Sequence, residues 1–216
     1  MAKPNDRNAK AFVRDFLATT CGVTLVDAEQ RLGKKNVDFE MMDGPERVLV
    51  AELKTIDYTR PSEATGWTMI QDDEHGTEAE RVGGYNGPAR IAKKIADAHQ
   101  QVSTYPHPWA VILHNEDIRT DISDFFEVFA GERVIGRIGD RRIIVTNSRK
   151  VALGKTLKIR YEVDLFIWVD RLDRPCRLGT WWSTPVGEKI ARKYFSTADS
   201  VVKFPARWPR LRIPGP

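Results

Sequence analysis

Two charged side chains interrupt an otherwise apolar run, Val48-Leu49-Val50-Ala51-Glu52-Leu53-Lys54-Thr55. Period-two alternation places Val48, Val50, Glu52 and Lys54 on one face of a strand. An isolated carboxylate or ammonium is costly to bury, so charges inside such a run need partners or a metal ion. Just upstream, Asp43-Gly44-Pro45 reads as a hairpin turn. A hairpin centred near Pro45 pairs positions whose numbers sum to 90, and Asp38 and Glu52 satisfy that sum. They would face each other with Cβ atoms about 4.5–5.5 Å apart. Facing carboxylates repel unless a cation lies between them. A hard divalent ion such as Mg²⁺, with Mn²⁺ as its substitute, suits two carboxylates and backbone carbonyl oxygens. Lys54, one pleat on, would reach the same place, where it can orient water and offset charge on a phosphate. The four charges Asp38, Glu40, Glu52 and Lys54 sum to −2, a deficit that one divalent cation would cancel.

A second pair of polar residues lies in Gln101-Val-Ser-Thr-Tyr105. Four residues apart, Gln101 and Tyr105 share one face of a helix. Pro88 opens that helix, and Ile91, Ile95, Ala98 and Val102 mark its buried stripe. The elements that must hold these residues follow from the flanking patterns. Phe12, Val13, Phe16 and Leu17 give a first helix over 10–20, ended by Gly22. Strands are expected at 23–26, 37–42, 48–56 and 109–113, the last a fully buried apolar run. The polar stretch 57–87 reads as a long inserted loop. Beyond 115, residues 122–130 read as helix, 133–138 and 142–146 as a hairpin, 157–169 as strand-rich, and 185–195 as a helix opened by Pro185.

The whole chain has 216 residues and a net charge of +4. Its apolar share excludes a wholly disordered chain. No apolar run nears the roughly 18 residues of a membrane span, so no membrane role is expected. Cys21 and Cys176 form no disulfide framework or zinc pattern, and the polar start lacks a secretory core, so a cytoplasmic setting is expected. The charge is unevenly spread. Residues 63–80 carry six acids and no Lys or Arg, 131–160 carry a net +7, and the segment after Asp199 carries +4. The two basic regions suit a polyanion. Arg141-Arg142 and Arg149-Lys150 are the densest pairs, and Trp181, Trp182 and Trp208 are candidates for stacking on unpaired bases. No phosphate-binding loop or nucleophile elbow is present in the sequence.

Asp38 followed by Glu52-Leu53-Lys54, on an expected α-β-β-β-α-β order over about residues 10–115, resembles the PD-(D/E)xK nuclease superfamily with its restriction-endonuclease-like fold. Gln101 and Tyr105 are similar to the Gln-x-x-x-Tyr element of its exonuclease-type branch. Val37 stands where the proline of the motif would be, and the first helix has no glutamate, leaving Asp15 or Glu29 as an accessory acid. The resemblance implies an α/β core with a mixed central sheet flanked by helices. Residues 1–115 would form the catalytic core with 57–87 as an insertion, 116–204 a β-rich and helical extension packed on it, and 205–216 a basic, Pro-rich tail. It implies metal-dependent hydrolysis of nucleic acid, DNA rather than RNA, in restriction, phage defence or repair. Asp38, Glu52 and the Leu53 carbonyl would hold Mg²⁺, with Glu40 on a second ion. Lys54 and Gln101 would act on the water, and Tyr105, Arg141, Arg142, Arg149 and Lys150 would contact nucleic acid. A homodimer is left open. The alternative is a catalytically inactive module of the same fold that binds nucleic acid or a protein.

Overall fold

The computed structural model describes residues 4–28, 37–57, 67–72, 77–82, 87–117, 120, 122–130, 132–138, 141–146, 153–172, 175–198 and 200–203. The first helix, α1 (Pro4–Cys21), buries Ala9, Val13 and Leu17, each one turn from the next. Gly22 stops it with φ 67°, its N–H bonded to the Ala18 carbonyl. Three antiparallel strands follow: β1 (Thr24–Asp27), β2 (Phe39–Asp43) and β3 (Glu46–Ile56). Gly44, at φ 58°, begins the two-residue turn between β2 and β3. Asp43 ties that turn to the far end of the chain through Lys193 Nζ (2.8 Å) and Tyr194 Oη (2.6 Å).

Next come β4 (Trp67–Asp72) and β5 (Thr77–Val82), then α2 (Gly87–Val102) and β6 (Trp109–Asn115). The second half holds α3 (Ile122–Ala130), β7 (Glu132–Ile138), β8 (Arg141–Thr146), α4 (Leu153–Glu162), β9 (Leu165–Asp170), β10 (Arg177–Trp182), α5 (Pro185–Tyr194) and β11 (Ser200–Lys203). Seven strands form one mixed sheet in the order β1-β2-β3-β6-β9-β10-β11. The pairs β3–β6, β6–β9 and β10–β11 are parallel, and β9–β10 is antiparallel. The strands from residues 165–203 therefore extend the same sheet that β1–β3 begin.

Side-chain alternation gives this sheet two apolar faces. Phe39, Leu49, Ala51, Leu53, Ala110 and Ile112 pack against α1 and α5 on one side. Ile56, Val111, Leu113 and Phe166 pack against α2, α3 and α4 on the other. The architecture is α/β, with a mixed sheet between helical layers. Among the described residues no helix is long and apolar enough to cross a membrane.

The elements differ from expectation in several places. α1 begins at Pro4 rather than near residue 10, and α2 ends at Val102, so Tyr105 lies past the helix that was expected to carry it with Gln101. The polar stretch 57–87 is not wholly without regular structure, because β4 and β5 form an antiparallel pair. The span 157–169, expected to be strand-rich, is strand only from Leu165. Residues through Glu162 belong to α4, and β9 begins at Leu165. Leu157-Lys-Ile-Arg-Tyr-Glu alternates like a strand, but Ile159 and Val163, four apart, are both buried and joined by a helical 3.0 Å hydrogen bond. Helical packing overrode the local alternation. β10 and β11 have no counterpart among the expected strands.

Candidate functional site

The site rests on the register of one hairpin. Phe39 pairs with Ala51, Glu40 with Val50 and Met41 with Leu49, each pair summing to 90. Nearer the turn the pairs are Met42 with Arg47 and Asp43 with Glu46, which sum to 89. A β-bulge at Val48 supplies the missing residue. Without it the ladder would set Asp38 opposite Ala51, and a one-residue slip turns every side chain to the other face.

With it, Asp38 and Glu52 meet just past the last backbone pair. There the carboxylates take over the ladder's hydrogen bonding. The Asp38 N–H donates to Glu52 Oε2 (3.2 Å), and the Leu53 N–H donates to Asp38 Oδ2 (3.0 Å). Each acid thus has one oxygen fixed by the opposite strand. The other oxygen of each meets a lysine. Lys54 Nζ lies 2.5 Å from Glu52 Oε1, and Lys10 Nζ, from α1, lies 2.5 Å from Asp38 Oδ1.

From the α2 layer, Gln101 Oε1 accepts from Lys54 Nζ at 2.6 Å. Lys54 is therefore held between a strand neighbour and a helix 47 residues on. Its side chain is 18% exposed, while that of Glu52 is 2% exposed. Burial, and then the negative charge of Asp38, push the Glu52 carboxyl up to about 7, and the Lys54 ammonium offsets only part of that rise.

Of the residues singled out in the sequence, Asp38, Glu52, Leu53, Lys54 and Gln101 come together. Glu40 is drawn aside, its Oε1 3.3 Å from Arg47 Nη1. The −2 deficit therefore already has two cations, Lys10 on Asp38 and Arg47 on Glu40. The Tyr105 ring is buried in a small cluster with Val37, Val50, Val102 and Trp109, and its carbonyl accepts from Trp109 Nε1 (2.8 Å). Lys94, two turns before Gln101 on the same stripe of α2, is 3.7 Å from Asp57. Asp15 lies on the exposed side of α1, and Glu29 lies outside the described residues.

Arg141 and Arg142 open β8, paired with β7. Arg149, Lys150 and the tail with Trp208 lie outside the described residues. Trp181 and Trp182 are core residues, not a stacking surface. They are 3% and 4% exposed, and Trp181 packs on Phe125 with ring centroids 5.0 Å apart. Their place on β10, between the two helical layers, buries one on each face of the sheet.

Lys10 is the residue that sequence reasoning missed. Its contact with Asp38 joins a helix to a strand start 28 positions away, and no local periodicity encodes such a contact. Among the described residues, no three of His, Cys, Asp and Glu gather as a metal-binding group. No protein-family model, curated protein or solved structure matches the chain.

Proposed function

We propose that the chain is a metal-dependent nuclease of the PD-(D/E)xK, restriction-endonuclease-like kind, hydrolysing phosphodiesters in nucleic acid, DNA rather than RNA. The observation that carries this reading is the Asp38–Glu52 pair, locked face to face beside a Lys54 that also bonds Gln101. The order α1-β1-β2-β3, then α2 and β6, supports it as the scaffold such a site needs.

A divalent cation fits the donor set. Both acids offer hard oxygen ligands. Glu52 binds its proton tightly because it is buried near a second carboxylate, and a cation would relieve that repulsion. Asp38, Glu52 and the Leu53 carbonyl would hold Mg²⁺, which when bound supplies Lewis acidity and a more acidic water. Lys54 would orient the attacking water and offset charge on the phosphate, with Gln101 fixing its ammonium. The β7–β8 hairpin, with Arg141 and Arg142, would grip backbone phosphates.

One observation favours a second reading, the inactive nucleic-acid- or protein-binding module. Both acids already carry lysine partners, and Glu40, the third acid, pairs with Arg47. Incubation of plasmid and single-stranded DNA with Mg²⁺ or Mn²⁺, with and without EDTA, separates the two. EDTA-sensitive cleavage supports the nuclease. Tight DNA binding without cleavage supports the module.

A further inference from the structure

We infer that Lys10 is a positioning residue that occupies Asp38, competes there with the divalent cation, and turns to the substrate phosphate once displaced. This rests on the nuclease reading above. The two acids are built alike: one oxygen of each is bonded by a backbone N–H of the opposite strand, and the other meets a lysine 2.5 Å away. The two lysines differ. Lys54 is 18% exposed and pinned a second time by Gln101 at 2.6 Å. Lys10 is 31% exposed, reaches Asp38 from a helix, and has the Phe39 ring at 6.0 Å as a further neighbour.

Lys10 is therefore the exchangeable cation. Its four-carbon stem lets the ammonium swing outward at little cost. Asp38 would not collapse when Lys10 leaves, because the Leu53 N–H still holds Oδ2. Oδ1 is then free to bind a cation without rebuilding the site.

The neighbouring turns of α1 say where the ammonium goes. Arg7 is exposed, and Arg14, one turn past Lys10, spans to Asp27 at 2.7 Å. Arg7, Lys10 and Arg14 recur at three- and four-residue spacing and share one helix face. A released Lys10 would join a basic row that ends at the proposed metal, the place where a phosphate is wanted. Lys10 thus offsets the Asp38 charge before the cation binds and the phosphate charge afterwards.

The test is Mn²⁺ titration of the full chain without DNA, by calorimetry, on wild type, Lys10→Gln, Lys10→Arg and Arg14→Gln. Thermal melts check that each is folded, as expected for partly exposed side chains. Lys10→Gln should bind Mn²⁺ up to about fivefold more tightly, the scale of one partly exposed ion pair. Lys10→Arg and Arg14→Gln should stay near wild type. With Mn²⁺ saturating, Lys10→Gln should raise KM for a fluorescent oligonucleotide several-fold and leave kcat nearly unchanged. Equal Mn²⁺ affinity in wild type and Lys10→Gln overturns the inference and leaves the nuclease reading standing. Mn²⁺ binding by neither protein overturns both. Tighter binding by Lys10→Gln in a chain that cleaves no DNA supports the exchange at Asp38 and overturns the nuclease reading alone.

Discussion

Asp38 and Glu52 clasp each other across the end of the β2–β3 ladder. The Asp38 N–H bonds Glu52 at 3.2 Å, and the amide next to Glu52, that of Leu53, bonds Asp38 at 3.0 Å. Two like charges are thereby held together by the groups that a regular ladder would have used. The repulsion is not removed. It is expressed in Glu52, whose carboxyl is pushed up to about 7 by burial and by Asp38.

That shift makes stability depend on pH. In an unfolded chain Glu52 ionises near 4.5. Between about 4.5 and about 7 the folded protein holds a proton that the unfolded chain has lost. The resulting stabilisation is fully present below about 4.5 and is lost as pH rises through about 7. Glu52→Gln removes this dependence. Its stability relative to wild type should improve between pH 4 and pH 8 by on the order of 3 kcal/mol. Urea midpoints across that range check it, and a difference independent of pH would contradict it.

In the proposed metal site the same group would set the pH dependence of cation binding. Below about 7 the ion would have to displace the Glu52 proton. Mn²⁺ affinity should fall about tenfold per pH unit there and flatten above, with proton release on binding. Calorimetry in two buffers of different ionisation enthalpy measures both. Affinity unchanged from pH 5.5 to 8 would remove Glu52 from the ligand set.

Gln101 holds Lys54 at 2.6 Å, and in the proposed nuclease it would act through that lysine. Gln101→Ala should lower kcat about tenfold, the loss of one charge-assisted hydrogen bond, and leave KM for DNA unchanged. An equal rise in KM would show instead that Gln101 touches the substrate.

Trp181 belongs to the core on the α3 side of the sheet. Trp181→Ala should cost ~3–5 kcal/mol of stability. At a temperature where the variant remains folded, its affinity for single-stranded oligonucleotides should match wild type. Selective loss of that affinity would restore a stacking role.

The central pairing was legible because three local signals agree: a charged pair in an apolar strand, a Gly-Pro turn, and an acid at the matching distance. The assumed hairpin centre gave the right partner through a compensation it did not include. The turn itself is centred half a residue earlier, and the Val48 bulge restores the register. Gln101 reaches Lys54 on β3 as the Gln-x-x-x-Tyr spacing suggested, but α2 ends at Val102, so Tyr105 lies beyond the helix and does not share its face. Lys10, Arg47 on Glu40, and the burial of Trp181 and Trp182 were not legible. Each depends on which elements pack together, and a tryptophan pair reads the same in the core as on a binding surface. The α4–β9 junction was hidden for a related reason, since Ile159 satisfies both a strand and a helix pattern.

The most direct measurement is single-turnover cleavage of DNA in saturating Mg²⁺ by wild type, Glu52→Ala and Lys54→Ala, each shown by circular dichroism to be folded. Wild type should cleave, EDTA should stop it, and each variant should be slower by at least about 100-fold. Cleavage that survives in both variants, or a folded, metal-saturated wild type that cuts neither plasmid nor single strands, would contradict the assignment of Asp38, Glu52 and Lys54 as a nuclease centre.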